Sequence, residues 1–89
     1  MAWTVELAPA ALKDLDSLGS LPRQRILNFL NDRLTALDDP RQLGKALAGK
    51  KYENQWRYRV GDYRIIAEIK FDVVRILVVQ VGHRGEVYR

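Results

Sequence analysis

Hydrophobic and polar residues alternate along residues 56–69, on both sides of a Gly-Asp pair. This period of two is typical of two β-strands joined by a tight hairpin. Gly61 can adopt the positive φ that the first central position of a type II′ turn requires, and a two-residue loop then pairs Arg59 with Arg64. The alternation predicts an apolar core face and a basic face. The core face comprises Trp56, Tyr58, Val60, Tyr63, Ile65, Ala67 and Ile69, and the basic face comprises Arg57, Arg59 and Arg64.

The residues before this hairpin predict a strand and two helices. Residues 2–8 alternate and predict a strand, after which Pro9 suits the first turn of a helix that ends before Gly19. A second helix begins near Ser20 and ends before Pro40. The apolar stripes of the helices are Ala11, Leu12, Leu15 and Leu18 in the first, and Ile26, Leu27, Leu30, Leu34 and Leu37 in the second.

After the second helix, residues 43–49 predict a connector. Beyond the hairpin, residues 73–81 form a nearly continuous apolar run, which is typical of a central strand covered on both faces. The whole chain, residues 1–89, therefore predicts one α+β domain. In it, strand-helix-helix is followed by three to four antiparallel strands, with the helices packed on one face of a twisted sheet.

Composition excludes several classes of site. The 89 residues contain no cysteine, so neither a disulfide framework nor a thiolate metal site is possible. A single histidine, His83, cannot form a zinc centre by itself, and we expect neither a metal nor a cofactor. No basic segment followed by an apolar run begins the chain, and no stretch approaches the ~20 apolar residues of a membrane span. We therefore expect a cytoplasmic protein that does not bind membranes.

Positive charge is concentrated in the second half of the chain. The net charge is +4, with −2 over residues 1–40 and +6 over residues 41–89, and ten of the fifteen basic residues are arginine. This distribution favours a polyanion or an acidic protein as partner. An ordinary basic surface is the alternative that charge alone leaves open.

The pairing of arginines on the predicted basic face is unusual. Like charges directly opposite each other destabilise a sheet, so these side chains either extend into open water or face an anion. The planar guanidinium group matches the geometry of phosphate. Lys45, Lys50 and Lys51 lie just before the arginine-bearing strands and are candidate phosphate-binding groups, although solvated loop lysines are common.

The central block and the last residues together resemble a known family. The block consists of Leu47, Gly49, Trp56, Arg57, Arg59, Gly61, Asp62, Tyr63, Arg64 and Ile65, and the ending is Val81-Gly82-His83-Arg84-Gly85-Glu86-Val87-Tyr88-Arg89. The block resembles the RelE/ParE toxin superfamily, and the ending is similar to that of its RelE branch. The order of elements agrees with the superfamily fold over nearly the whole chain.

This resemblance implies a type II toxin that cleaves messenger RNA in the ribosomal A site without a metal. The ribose 2′-hydroxyl attacks the adjacent phosphate, which requires a base, an acid and cations near the developing negative charge. The family's basic site positions fall on Arg57, Arg59, Arg64 and Arg84, and its tail tyrosine falls on Tyr88. RelE toxins usually carry lysine at the first two positions, and arginine cannot act as a base there. We therefore expect Arg57 and Arg59 to stabilise charge. Tyr88 is the predicted base, Arg84 acts on the leaving group, and His83 is a further candidate catalytic residue.

The same resemblance implies particular partners. A RelB-like acidic antitoxin with an amphipathic helix is expected to neutralise the toxin, and the 70S ribosome with its mRNA is the expected target. Operator DNA is expected to be bound only by the toxin–antitoxin complex. Two other functions remain open: a ParE-like toxin that poisons DNA gyrase without cutting nucleic acid, and an RNA-binding module without catalytic activity.

Overall fold

The computed structural model describes residues 3–47 and 54–83, which form a five-stranded sheet with helices on one face. The elements in chain order are β1 (Thr4–Leu7), α1 (Pro9–Asp16), α2 (Ser20–Asn28), π-helical turns (Phe29–Leu34), a 3₁₀ helix (Pro40–Leu43), β2 (Lys45–Ala46), β3 (Gln55–Val60), β4 (Tyr63–Lys70), a second 3₁₀ helix (Phe71–Val73) and β5 (Arg75–His83). The strand order is β1-β5-β4-β3-β2; β1 runs parallel to β5, and the other neighbours are antiparallel. The predicted α+β class is confirmed.

The β3–β4 hairpin forms in the predicted register. Arg59 lies opposite Arg64, and Val60 lies opposite Tyr63 across a two-residue loop. Gly61 has a φ of +58°, a conformation that side-chain-bearing residues rarely adopt, so the turn favours glycine at this position. Because the loop sets the register, it also decides which side chains share a face.

The helices cover the apolar face of the sheet, with two departures from the predicted pattern. Helix α1 ends at Asp16, and Leu12 from its predicted stripe is 50% exposed. After Asn28 the second helix continues as π-helical turns over Phe29–Leu34. Phe29 and Leu30 are both buried, and Phe29 lies three residues after the buried Ile26, on the same face of the helix. The predicted stripe omitted this core residue.

Strand β5 is central, but only one of its faces is fully buried, which corrects the prediction of cover on both. Its neighbours are β1 and β4, while the helices pack on one side only. Ile76, Val78 and Val81 are buried, and the residues between them are partly exposed. The spacing changes after Val78 because a β-bulge shifts the pairing with β4 by one residue. Beyond the end of β1, the Asp14 carboxylate of α1 accepts a hydrogen bond from the Val81 N–H at 3.1 Å.

The predicted connector contains the short edge strand β2. Lys45 pairs with Arg57 of β3, and Ala46 pairs with Trp56. Before it, the 3₁₀ helix is fixed by the buried Tyr58 hydroxyl, which donates a hydrogen bond to the Pro40 carbonyl at 2.8 Å. This contact positions the segment that forms one wall of the candidate site.

Candidate functional site: a basic hollow at the sheet edge

The face of the sheet opposite the helices carries the predicted arginines. Arg59 and Arg64 lie directly opposite each other on β3 and β4, and Arg57 lies two residues before Arg59, on the same face. Lys45 of β2 lies opposite Arg57 and joins this face from the sheet edge. The hairpin and its neighbour β2 therefore bring three of the predicted site arginines and one predicted lysine together.

These four cations line a hollow of about 270 Å³, which we call the basic hollow. Its lining is Leu43, Lys45, Arg57, Tyr58, Arg59 and Arg64. No carboxylate belongs to this lining, so all of its formal charge is positive. A phosphate or a carboxylate group matches such a lining in charge.

Ion pairs do not offset the charge of most of these cations. The ion pairs within residues 3–47 and 54–83 are Arg23–Asp16, Arg41–Asp39 and Arg75–Glu6, at 3.7, 2.7 and 3.4 Å. Within the same residues no acidic side chain pairs with Lys45, Arg59 or Arg64. Their mutual repulsion is therefore relieved by water or by a bound anion.

Tyr58 lines the basic hollow and Gly44 packs closely against its ring, and the sequence prediction missed both roles. A Cβ atom at Gly44 would lie 2.9 Å from Cε1 of Tyr58, so only glycine lets the chain pass this closely over the ring. Burial, with a smaller contribution from the Asp39 carboxylate, raises the pKa of the Tyr58 hydroxyl above its ordinary value. The hydroxyl therefore stays protonated at neutral pH and can donate its hydrogen bond to the Pro40 carbonyl.

Arg41 anchors the 3₁₀ helix Pro40–Leu43 through contacts with two aromatic rings and with Asp39. Its guanidinium carbon lies 4.6 Å from the ring centroid of Phe71 and 5.9 Å from that of Trp56, within the range of cation–π contact. The Arg41 Nη2 donates to Asp39 Oδ2 at 2.7 Å, and its hydrogen bonds hold the pKa of Asp39 below the usual range. The order Asp39-Pro40-Arg41 is typical of a capped turn, a signal that could have located this segment.

The structure does not place His83 in the basic hollow. His83 pairs with Tyr63 and packs edge-on against its ring, with the ring centroids 5.3 Å apart. Tyr63 packs against the helix-side core, on the face opposite Arg64. The bulge in β5 causes this placement, because a shift of one residue moves every later side chain to the other face.

Four predicted site residues, Lys50, Lys51, Arg84 and Tyr88, lie outside the described residues. Their roles stay predictions. Among the residues that the structure does describe, no three histidine, cysteine, aspartate or glutamate side chains group as metal ligands would. Likewise, no helix within this part of the chain is both long and apolar enough to span a membrane.

Comparison with known protein families shows the family to which the chain belongs. The family described as "ParE toxin of type II toxin-antitoxin system, parDE" matches residues 5–88. The chain belongs to this ParE toxin family. It is therefore a type II toxin of the RelE/ParE superfamily. No curated protein matches the chain.

Solved structures of RelE proteins are similar to this toxin. The toxin–antitoxin complex RelBE2 of Mycobacterium tuberculosis matches with a TM-score of 0.85 at 24% identity, covering 94% of this chain and 100% of that one. The archaeal RelE–RelB complex of Pyrococcus horikoshii OT3 matches with a TM-score of 0.72 at 26% identity, covering 98% and 100%. The RelB–RelE complex of Methanococcus jannaschii matches with a TM-score of 0.66 at 28% identity, covering 92% and 93%. The first of these matches supports the fold alone.

Proposed function

We propose that this toxin is a ribosome-dependent, metal-independent endoribonuclease that cleaves mRNA in the A site. The observation that carries the proposal is the basic hollow, in which Lys45, Arg57, Arg59 and Arg64 line one site with no carboxylate among them. An RNA phosphodiester supplies the negative charge that makes this grouping favourable. The resemblance to the RelE branch, noted from the central block and the tail, supplies the reaction type.

The reaction needs little besides positioned charge and two proton transfers. The 2′-oxygen attacks the adjacent phosphorus while its proton is removed, and the bond to the 5′-oxygen breaks as that oxygen gains a proton. The products are a 2′,3′-cyclic phosphate and a 5′-hydroxyl end. Arg57, Arg59 and Arg64 stabilise the negative charge on the pentacoordinate phosphorus. On the resemblance, Tyr88 removes the first proton and Arg84 acts at the leaving oxygen.

The proposed partners follow from the same charge distribution. An acidic RelB-like antitoxin is the expected neutralising partner, since antitoxins accompany the similar RelE structures. The 70S ribosome presents the mRNA, and operator DNA is bound only by the toxin–antitoxin complex. We propose that the toxin acts in the cytoplasm, where these partners are found.

End mapping of mRNA on programmed ribosomes tests the proposal. We expect the wild-type toxin to generate new 5′ ends within the A-site codon, and Arg64→Ala to lower the cleavage rate about 100-fold. Arg23→Ala is the matched control, because Arg23 is an exposed arginine on α2 that pairs with Asp16 away from the basic hollow. Cleavage by Arg64→Ala at the wild-type rate would contradict the assigned site.

A second candidate function is the poisoning of DNA gyrase, favoured by the match to the ParE toxin family. A supercoiling assay with purified gyrase, run beside the ribosome assay, separates the two functions. Intact mRNA together with inhibited gyrase would replace the nuclease proposal with this one. Intact mRNA together with active gyrase would point to RNA binding without catalysis.

A further inference from the structure

The main-chain groups of β3 point alternately toward β4 and toward β2. The Asn54 carbonyl accepts a hydrogen bond from Ile69 N–H, on the β4 side, at 3.1 Å. The next carbonyl, that of Gln55, accepts from Leu47 N–H, on the β2 side, at 3.2 Å. Since these directions alternate along an antiparallel strand, the N–H and carbonyl groups of Arg57 and Arg59 also point toward β2.

Strand β2 ends before it reaches Arg59. Lys45 pairs with Arg57, so in a continued ladder Leu43 would pair with Arg59. Instead, Leu43 is the last residue of the 3₁₀ helix. Within residues 3–47 and 54–83, nothing accepts a hydrogen bond from the Arg59 N–H. Because Leu43, Lys45 and Arg59 all line the basic hollow, this edge of β3 opens into it.

Three separate interactions fix the conformation of the segment that precedes β2. The Tyr58 hydroxyl binds Pro40, the Asp39 carboxylate accepts from the Arg41 N–H at 3.0 Å, and Gly44 turns closely over the Tyr58 ring. An open strand edge is usually a liability that proteins cover. Here the fold instead keeps one edge position open beside four cations.

We propose that the main-chain N–H of Arg59 binds the substrate phosphate in the basic hollow. It donates a hydrogen bond to a non-bridging oxygen, in the way that main-chain amides stabilise oxyanions elsewhere. The guanidinium groups stabilise the negative charge of the phosphate, and the amide, whose orientation is fixed by the strand, positions one of the phosphate oxygens. That the anion is an RNA phosphodiester rests on the proposed function; that the site binds an oxyanion does not.

Two substitutions at Arg59 separate the amide from the side chain. Arg59→Ala removes the guanidinium group but keeps the N–H, whereas Arg59→Pro removes both. Proline is tolerated at edge positions where the N–H points outward. We expect Arg59→Pro to cleave ribosome-bound mRNA at least about tenfold more slowly than Arg59→Ala, with a similar Tm.

Arg57→Pro is the matched control for backbone effects. Its N–H side faces Lys45 in the β2–β3 ladder, so we expect the Tm of Arg57→Pro to fall well below that of Arg59→Pro. Equal cleavage by Arg59→Ala and Arg59→Pro would overturn the inference.

A titration of the wild-type toxin tests anion binding by the Arg59 N–H without any cleavage assay. It also tests the inference if Arg59→Pro does not fold. Inorganic phosphate and a nucleoside 3′-monophosphate are added separately while ¹⁵N–¹H spectra are recorded. We expect the Arg59 amide resonance to shift with saturation for both anions, with the Ile69 amide, bonded within the sheet, as the unmoved reference. A stationary Arg59 resonance would overturn the inference, whereas intact mRNA with a shifting resonance would refute only the nuclease proposal.

Discussion

Replacing Gly44 by alanine should destabilise the toxin through a single steric conflict. The added Cβ would lie 2.9 Å from Cε1 and 3.0 Å from Cζ of Tyr58, and 3.2 Å from the Arg57 carbonyl oxygen. Gly44 has a φ of −111°, which alanine adopts readily, so backbone strain adds nothing. The destabilisation expected is therefore that of the contacts alone.

The Tyr58 ring has no easy way to retreat from that methyl group. It is 1% exposed, and its hydroxyl is held by the Pro40 carbonyl. Overpacking of this kind costs about 1–3 kcal/mol, which corresponds to a fall in Tm of about 5–20 °C for a domain of this size. Because Gly44 directly precedes β2, the displacement should also move Lys45 and slow the proposed mRNA cleavage.

Thermal unfolding followed by circular dichroism measures the effect. Gly19→Ala is the control, because a Cβ there meets only Pro22 Cδ at 3.7 Å, and a change below about 1 kcal/mol is expected. In a Tyr58→Leu background the Gly44→Ala substitution should cost much less, since its partner ring is gone. A Gly44→Ala toxin as stable as the wild type, or an equal cost in both backgrounds, would refute the steric explanation.

Three further predictions concern other fixed points of the fold. Tyr58→Phe leaves the Pro40 carbonyl without its donor and should lower the free energy of unfolding by about 1–3 kcal/mol in urea titrations; an unchanged midpoint would contradict this. Hydrogen bonds with Arg41 lower the pKa of Asp39 in the folded state. The ionised Asp39 carboxylate therefore stabilises the fold above the unfolded-state pKa near 3.8, and this stabilisation is lost as the pH falls through the folded-state pKa. Urea midpoints should thus decline more below pH 4 for the wild type than for Asp39→Asn, and parallel declines would exclude this role. Gly61→Val should destabilise the hairpin by at least about 1 kcal/mol because its φ is +58°, whereas calorimetry that shows no loss would place the turn in another conformation.

Local signals explain why much of the fold could be predicted. The alternating residues around Gly61 indicate both the position of the turn and the two faces of the hairpin. The Arg59–Arg64 pairing and the grouping of the arginines could therefore be predicted from this segment alone. Pro9 and the break at Gly19 similarly located the helix hairpin. These features depend on neighbours in sequence, where backbone preference acts directly.

Features that depend on distant contacts could not be predicted in the same way. The bulge in β5 follows from pairing with β4, and no residue type in 75–83 signals it; yet it moves His83 to the helix side. The close packing of Gly44 against Tyr58, which lines the basic hollow, joins residues 14 positions apart in the chain. Alternation along one segment carries no information about such contacts.

The parallel pairing of β1 with β5 has a consequence for how this toxin folds. Thr4 lies beside Arg75, so the sheet is completed by two segments that lie 71 positions apart in the chain. Closing so long a loop costs more conformational entropy than closing the two-residue loop of the β3–β4 hairpin, and contacts at such a separation slow folding. We therefore expect the hairpin to form before β1 joins the sheet.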